Sequence, residues 1–276
     1  YWKNGKGQVT AAFDCPQTGL YELRVSYCLP QSGVEPELGV QLDGAYPCEA
    51  FEAVMLPRAW QDRSAEVRTD EQGNELSPEQ TEVTGFITRT LTDHTGVETE
   101  PYRLYVTAGS HPLTLTGCGQ ELARASVTLA APETVLSYAE TVAGQTIAAG
   151  GAAPIVIEGE SATVKSSSTI IAKADTSDAS MSPASPYLTR LNYIGGTSWQ
   201  DPTETVYWDF HVETAGYYAL SFRYKQADVV NGESLRWLRI DGKTPFEEAK
   251  SLRFAYNPRW TIYTFGEGDT PYYVYL

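Results

Sequence analysis

The chain has 276 residues, with 35 Asp and Glu against 20 Lys and Arg, a net charge of −15 and a pI near 4.6. This acidity argues against nucleic acid or an anionic membrane surface as partner, since both need clustered Lys and Arg. A content of 42% hydrophobic and 12% aromatic residues argues against disorder and is enough to build packed cores.

In chain order, residues 9–13 and 20–27 have strand composition and flank a turn at 16–19. Tyr21, Leu23, Val25 and Tyr27 alternate with Glu22, Arg24 and Ser26, the period-two pattern of a strand with one wet face. A third strand at 39–43 closes on the turn dipeptide Asp43-Gly44, followed by a short helical piece at 48–55. Residues 61–100 are polar, acidic and turn-rich, and strands are expected again at 102–107, 112–116 and 125–129. Residues 132–143 read as the best helix of the chain, with Pro132 in its first turn and Gly144 as its stop. With the small residues that follow they make a linker over 132–153. A new strand is expected at 155–160, then a Ser/Thr/Ala/Pro-rich loop over 166–186, then further strands at 206–224 and 235–241.

The stretch 199–224 echoes 2–27. At an offset of 197, seven of 26 positions are identical: Trp2/Trp199, Val9/Val206, Phe13/Phe210, Gly19/Gly216, Tyr21/Tyr218, Leu23/Leu220 and Tyr27/Tyr224. Asp241-Gly242 repeats Asp43-Gly44, and Pro258-Arg259-Trp260 repeats Pro57-Arg58-Ala59-Trp60. The expectation is therefore an all-β tandem of sandwiches, a first module at 1–131 and a second at 154–276. Each copy lacks segments the other shows, so the chain reads as a piece of a longer protein, and it begins at Tyr1 without an initiator Met or signal peptide. Cys15, Cys28, Cys48 and Cys118 all fall in the first half, and their even number permits two disulfides in an extracellular setting.

For chemistry, His94, His111 and His211 sit in no metalloprotease or nucleophile-elbow motif, and the glycine pairs make no phosphate loop. No catalysis is expected. Aromatics carry the signal, because a sugar ring offers an apolar C–H face and a polar rim. Its binders stack an aromatic ring on the face and reach the rim with Asn, Asp, Arg or Gln. Asn192, Tyr193, Trp199, Gln200 and Asp201 form such a mixed loop, and Arg259 beside Trp260 is similar. Against this, Trp2, Trp60, Trp199 and Trp260 recur between repeats and are equally readable as core, and Trp208 reads as core with Phe210. Glu158 and Glu160, at i and i+2 on the expected strand, suit an oxygen-ligated Ca²⁺ if another strand adds ligands; two solvated edge residues are the alternative.

Taken together, the segments IVIEGESA, LNYIGGTSWQDP, RIDGKTPFEEA and PRW resemble the galactose-binding-like β-sandwich of carbohydrate-binding module families 6 and 35. The likeness is to modules beside the sugar-binding lobe of large solute-binding proteins of bacterial carbohydrate ABC transporters. The first half, with PRAWQDRSAEVRTDEQGNELSPEQ and PYRLYVTAGSHPLTL, resembles their partner module. The resemblance implies jelly-roll sandwiches, an extracellular or cell-surface location, glycan binding through loops, and a structural Ca²⁺ near Glu158 and Glu160. A spacer or adhesion pair without sugar binding is the alternative.

Overall fold

The structure is a computed structural model that describes residues 5–31, 33–119, 121–122, 124–147 and 153–276. The chain is all-β, as expected, and it falls into two compact units that are interleaved in sequence. The first takes Tyr1–Pro132, Gly159–Lys173 and Tyr193–Trp208; the second takes Glu133–Glu158, Ala174–Asn192 and Asp209–Leu276. This partition differs from the sequential division at 131 and 154. Two segments from the middle of the chain hydrogen-bond into a ladder of the first unit.

In the first unit, β1 (Gln8–Cys15), β3 (Glu37–Leu42), β4 (Val54–Met55) and β9 (Gly109–Gly117) form a sheet in the order β1-β9-β3-β4. A second sheet centres on β2 (Gly19–Cys28), which pairs with β7 (Ile87–Thr90), β8 (Arg103–Val106) and β10 (Arg124–Ala130). Alternation sends Leu23, Val25 and Tyr27 of β2 inward to meet Leu38 and Val40 of β3 in one core, each 0–1% exposed. Each such side chain contributes roughly 1.5–3 kcal/mol on burial. The expected wet face of β2 is not wholly wet. Glu22 is buried, because the strand is covered on both edges and the Arg103 guanidinium lies 3.9 Å from its carboxylate. A third ladder runs β14-β11-β5-β6, built from β5 (Trp60–Asp62), β6 (Gln80–Glu82), β11 (Val164–Lys165) and β14 (Val206–Tyr207). This ladder explains the interleaving: Lys165 pairs with Trp60 on one side and Val206 on the other. The Lys165 ammonium is buried and satisfied by Asp62 and by Gln80 at 3.2 Å. β12 (Ala172–Lys173) and β13 (Tyr193–Ile194) pair with each other.

The second unit holds only two-stranded ladders among the described residues. β15 (Tyr217–Ala219) pairs with β22 (Tyr273–Tyr275), β16 (Ser221–Gln226) with β19 (Asn257–Thr264), β17 (Glu233–Arg236) with β18 (Leu252–Ala255), and β20 (Gly266–Glu267) with β21 (Thr270–Pro271). Its buried core, Phe246, Ala249, Leu252, Phe265 and Val274, is a tight aromatic cluster in which Phe246 stacks on Phe265 at 5.5 Å and Tyr272 meets both edge-on.

Local geometry recurs between the units. The Tyr21 hydroxyl donates to the Gln17 carbonyl at 2.7 Å, and the Tyr218 hydroxyl donates to that of Thr214 at 2.6 Å. The turn Asp43-Gly44 has φ of 53° and 80°, and Asp241-Gly242 has 50° and 74°; Asp, Asn and Gly tolerate this left-handed pair best. Arg24 faces Thr90 across its ladder, as Ser221 faces Thr264. The units differ after the Pro-Arg-Trp segment. β19 runs straight through Trp260, whereas in the first unit residues 61–86 stand between Trp60 and β7 and supply β6.

Four expectations are corrected. The helix over 132–143 shrinks to α1 (Tyr138–Thr141), because Ser137 and Glu140 form a reciprocal capping box that starts it late. Residues 153–158 adopt no strand and join no ladder, and Gly159–Ser161 is a 3-10 turn, so the apolar run Ile155-Val156-Ile157 lacks the partner a strand needs. Phe210 is 42% exposed and Trp208 half-buried, because β14 ends at Tyr207 before alternation can carry both into a core. The polar stretch 61–100 holds β5, β6 and β7 rather than turns alone. Trp2 and residues 148–152 of the small-residue stretch lie outside the described residues.

Candidate functional site

In the second unit a polar network gathers on the outer face of β16 and β19. Phe222 and Tyr224 of β16 are the half-buried positions, so alternation turns Arg223 and Lys225 outward. There they meet the segment 174–192. Arg223 donates to the Ser180 carbonyl at 2.6 Å and to its hydroxyl at 2.5 Å. Lys225 Nζ donates to Asp175 Oδ2 at 2.9 Å, and the Trp260 indole N–H donates to the same oxygen at 2.8 Å. Two Asx turns shape the segment: Ser177 N donates to Asp175, and Ser180 N to Asp178.

Burial alone would raise the pKa of Asp175. The hydrogen bonds from Ser177, Lys225 and Trp260 outweigh it and hold the carboxyl well below the usual carboxylate range. Asp178 is likewise lowered, chiefly by the Ser180 hydroxyl. Asn192 sits beneath this network, 6% exposed, with its amide nitrogen on the carbonyls of Asp175 and Pro183 and its oxygen accepting Asp175 N–H at 2.8 Å. Its amide is thus a brace for the loop. Trp260 is half-buried and Arg259 exposed.

The remaining expected ligand-binding residues belong to the first unit, so the seven are divided between the two units. Tyr193 is on β13, and Trp199, Gln200 and Asp201 follow it. The loop folds tightly on Trp199: a Cβ at Gly195, where φ is 98°, would stand 3.2 Å from the indole ring. The Trp199 indole N–H donates to the Glu204 carbonyl at 3.2 Å, while Glu204 Oε2 accepts the backbone N–H of Gln200 at 3.0 Å and of Asp201 at 3.2 Å. The side chains of Gln200 and Asp201 are exposed.

Indole N–H donors are committed elsewhere as well. Trp208 donates to the Gly159 carbonyl, and Trp237 donates to Thr244 Oγ1 with the Arg239 guanidinium 4.3 Å above its ring.

Glu158 is exposed in irregular chain and Glu160 lies in the 3-10 turn, so the expected two-carboxylate strand face does not form. Among the described residues no group of three or more His, Cys, Asp and Glu is placed to hold a metal. The four cysteines are unbridged; Cys15 is buried and its thiol donates to the Gln17 carbonyl.

Sequence reasoning missed Asp175, Lys225 and Arg223. The signals were present as the paired Asp-x-Ser spacing at 175–177 and 178–180 and the alternating bases of β16, but the contacts span up to 85 residues. No family model, no curated protein and no solved structure matches the chain.

Proposed function

We propose that the chain is a tandem of galactose-binding-like jelly-roll modules that bind carbohydrate without catalysis, as an extracellular or surface region of a bacterial protein, in the manner of the accessory modules of sugar-transport solute-binding proteins. The observation that carries this reading is the half-exposed Trp260 ring beside Asp175, Lys225 and Arg259 on an outer sheet face. Asp175 and Lys225 fix the indole in one orientation, so stacking a sugar on it costs little ordering. The recurrent turns, tyrosine bonds and strand register support the tandem.

The test is a glycan array with and without Ca²⁺, followed by titration of the best ligand. Trp260→Ala is expected to weaken binding at least tenfold, about 1.4 kcal/mol. An array silent under both conditions would sink the reading. A spacer or adhesion pair is the second reading, favoured by one observation: the indole N–H groups of Trp199, Trp208, Trp237 and Trp260 all bond to the chain itself, as packing tryptophans do.

A further inference from the structure

Tyr187 is 90% exposed, more than any other large hydrophobic side chain among the described residues. Tyr275, at 67%, still packs edge-on against Tyr217 with ring centroids 5.4 Å apart. A ring as open as that of Tyr187 adds almost nothing to the fold.

The loop that carries it is held in place. Met181 and Leu191 flank it and are buried, each 6% exposed. Between them the Asn192 amide donates to the Pro183 carbonyl at 3.1 Å. The Ser185 hydroxyl accepts the backbone N–H of Tyr187 at 3.3 Å and of Leu188 at 3.1 Å. Pro186 restricts the backbone just ahead of the tyrosine. The ring is therefore held out in solvent by an ordered backbone.

The same brace ties the loop to Trp260. Asn192 Nδ2 donates to the Asp175 carbonyl as well as to that of Pro183, each at 3.1 Å, so the two carbonyls converge on one nitrogen. The Asp175 carboxylate in turn accepts the Trp260 indole N–H at 2.8 Å. Tyr187 follows Pro183 by four positions, at most about 14 Å of chain.

We propose that Tyr187 is a second sugar-stacking residue of the site at Trp260, offering its ring to the apolar C–H face of a pyranose in the same glycan. The inference rests on the carbohydrate reading above. A tyrosine ring has about 150–250 Å² to bury and only two side-chain torsions to order when it does so. Because the backbone beneath it is already fixed, contact with a ligand orders little else. The ring, not the hydroxyl, makes the contact.

The test is a glycan array printed with neutral oligosaccharides of glucose, galactose, mannose and xylose. It is probed in parallel with the 276-residue chain and its Tyr187→Ala, Tyr187→Phe and Trp260→Ala variants, and the strongest-binding oligosaccharide is then titrated in solution. Tyr187→Ala is expected to weaken binding at least fivefold with the unfolding midpoint unchanged, and Tyr187→Phe to stay within twofold of the parent chain. Unchanged affinity in Tyr187→Ala overturns the proposal, as does an equal loss in Tyr187→Phe, which assigns the contact to the hydroxyl. A lowered unfolding midpoint in Tyr187→Ala overturns it too, since the ring then serves the fold. Loss in Trp260→Ala with none in Tyr187→Ala overturns the proposal and leaves the carbohydrate reading standing. An array silent with the parent chain takes both down, so the two failures are distinguishable.

Discussion

Tyr27 and Tyr224, matched by the sequence echo, meet different surroundings. Tyr27 is fully buried, its hydroxyl on the Pro57 carbonyl at 2.5 Å, and burial pushes its ionisation far above the ordinary tyrosine value. Tyr224 is half-exposed, its hydroxyl 3.1 Å from the Ala255 carbonyl. The strand pattern is common to both; the neighbours on the far edge are not. Inward-pointing side chains therefore register an intention to be buried, and burial itself depends on what pairs beside the strand.

The sharpest break in the comparison concerns Arg58 and Arg259, which share the Pro-Arg motif. Arg58 is buried, donating to the carbonyls of Val34 and Pro30 and to Glu82 at 2.5 Å. Arg58→Ala leaves the Glu82 carboxylate uncompensated and is expected to cost the first unit about 4 kcal/mol. Arg259 is exposed, and Arg259→Ala should stay within about 0.5 kcal/mol. Denaturant-dependent hydrogen exchange reads each unit separately, and equal costs would refute the difference in burial.

The core is the next place to look. Leu23→Ala removes a side chain 1% exposed and should cost about 3 kcal/mol, with a cavity left behind. Leu220→Ala, at a site already half open, should cost about 1 kcal/mol by the same measurement.

The smallest effect tests a polar device particular to the first unit. His111 sits between the Asp43 carboxylate at 2.9 Å and the Thr107 carbonyl at 2.8 Å, with Phe13 alongside. The Asp43 hydrogen bond, then that to Thr107, raises its pKa above the ordinary histidine value of 6.5. A raised folded pKa means the stabilisation is complete below about pH 6.5, the unfolded value, and fades as pH rises through the folded one. The denaturation midpoint of the first unit should therefore decline as pH rises above about 6.5, and that slope should flatten in His111→Gln. The second unit, whose His211 is exposed in irregular chain, serves as the internal control.

Much of the fold was legible. β2 follows from four alternating apolar residues, and the left-handed turns from Asp43-Gly44 and Asp241-Gly242. β6, reading Gln-Thr-Glu, was not legible, since it has no apolar face and exists because Trp60 and Asp62 pair with it. Conversely, Ile155-Val156-Ile157 has strand composition and forms none. At the candidate site, Trp260 and Asn192 could be picked out by type, whereas Asp175, the carboxylate that joins them, could not. Its partners lie 17, 50 and 85 residues away.

By itself the sequence determined the all-β class, the strand β2 and the left-handed turns, because these depend on residues a few positions apart: alternation, Asp-Gly dipeptides and short loops. The tertiary structure alone decided that Gly159–Lys173 and Tyr193–Trp208 join the first unit, that Asn192 and Trp260 belong to the second, and that β2 is paired on both edges while β16 is paired with β19 alone among the described residues. Those outcomes depend on strand edges and buried charges finding partners, and a hydrogen-bond partner is set by proximity in space, which local pattern does not encode.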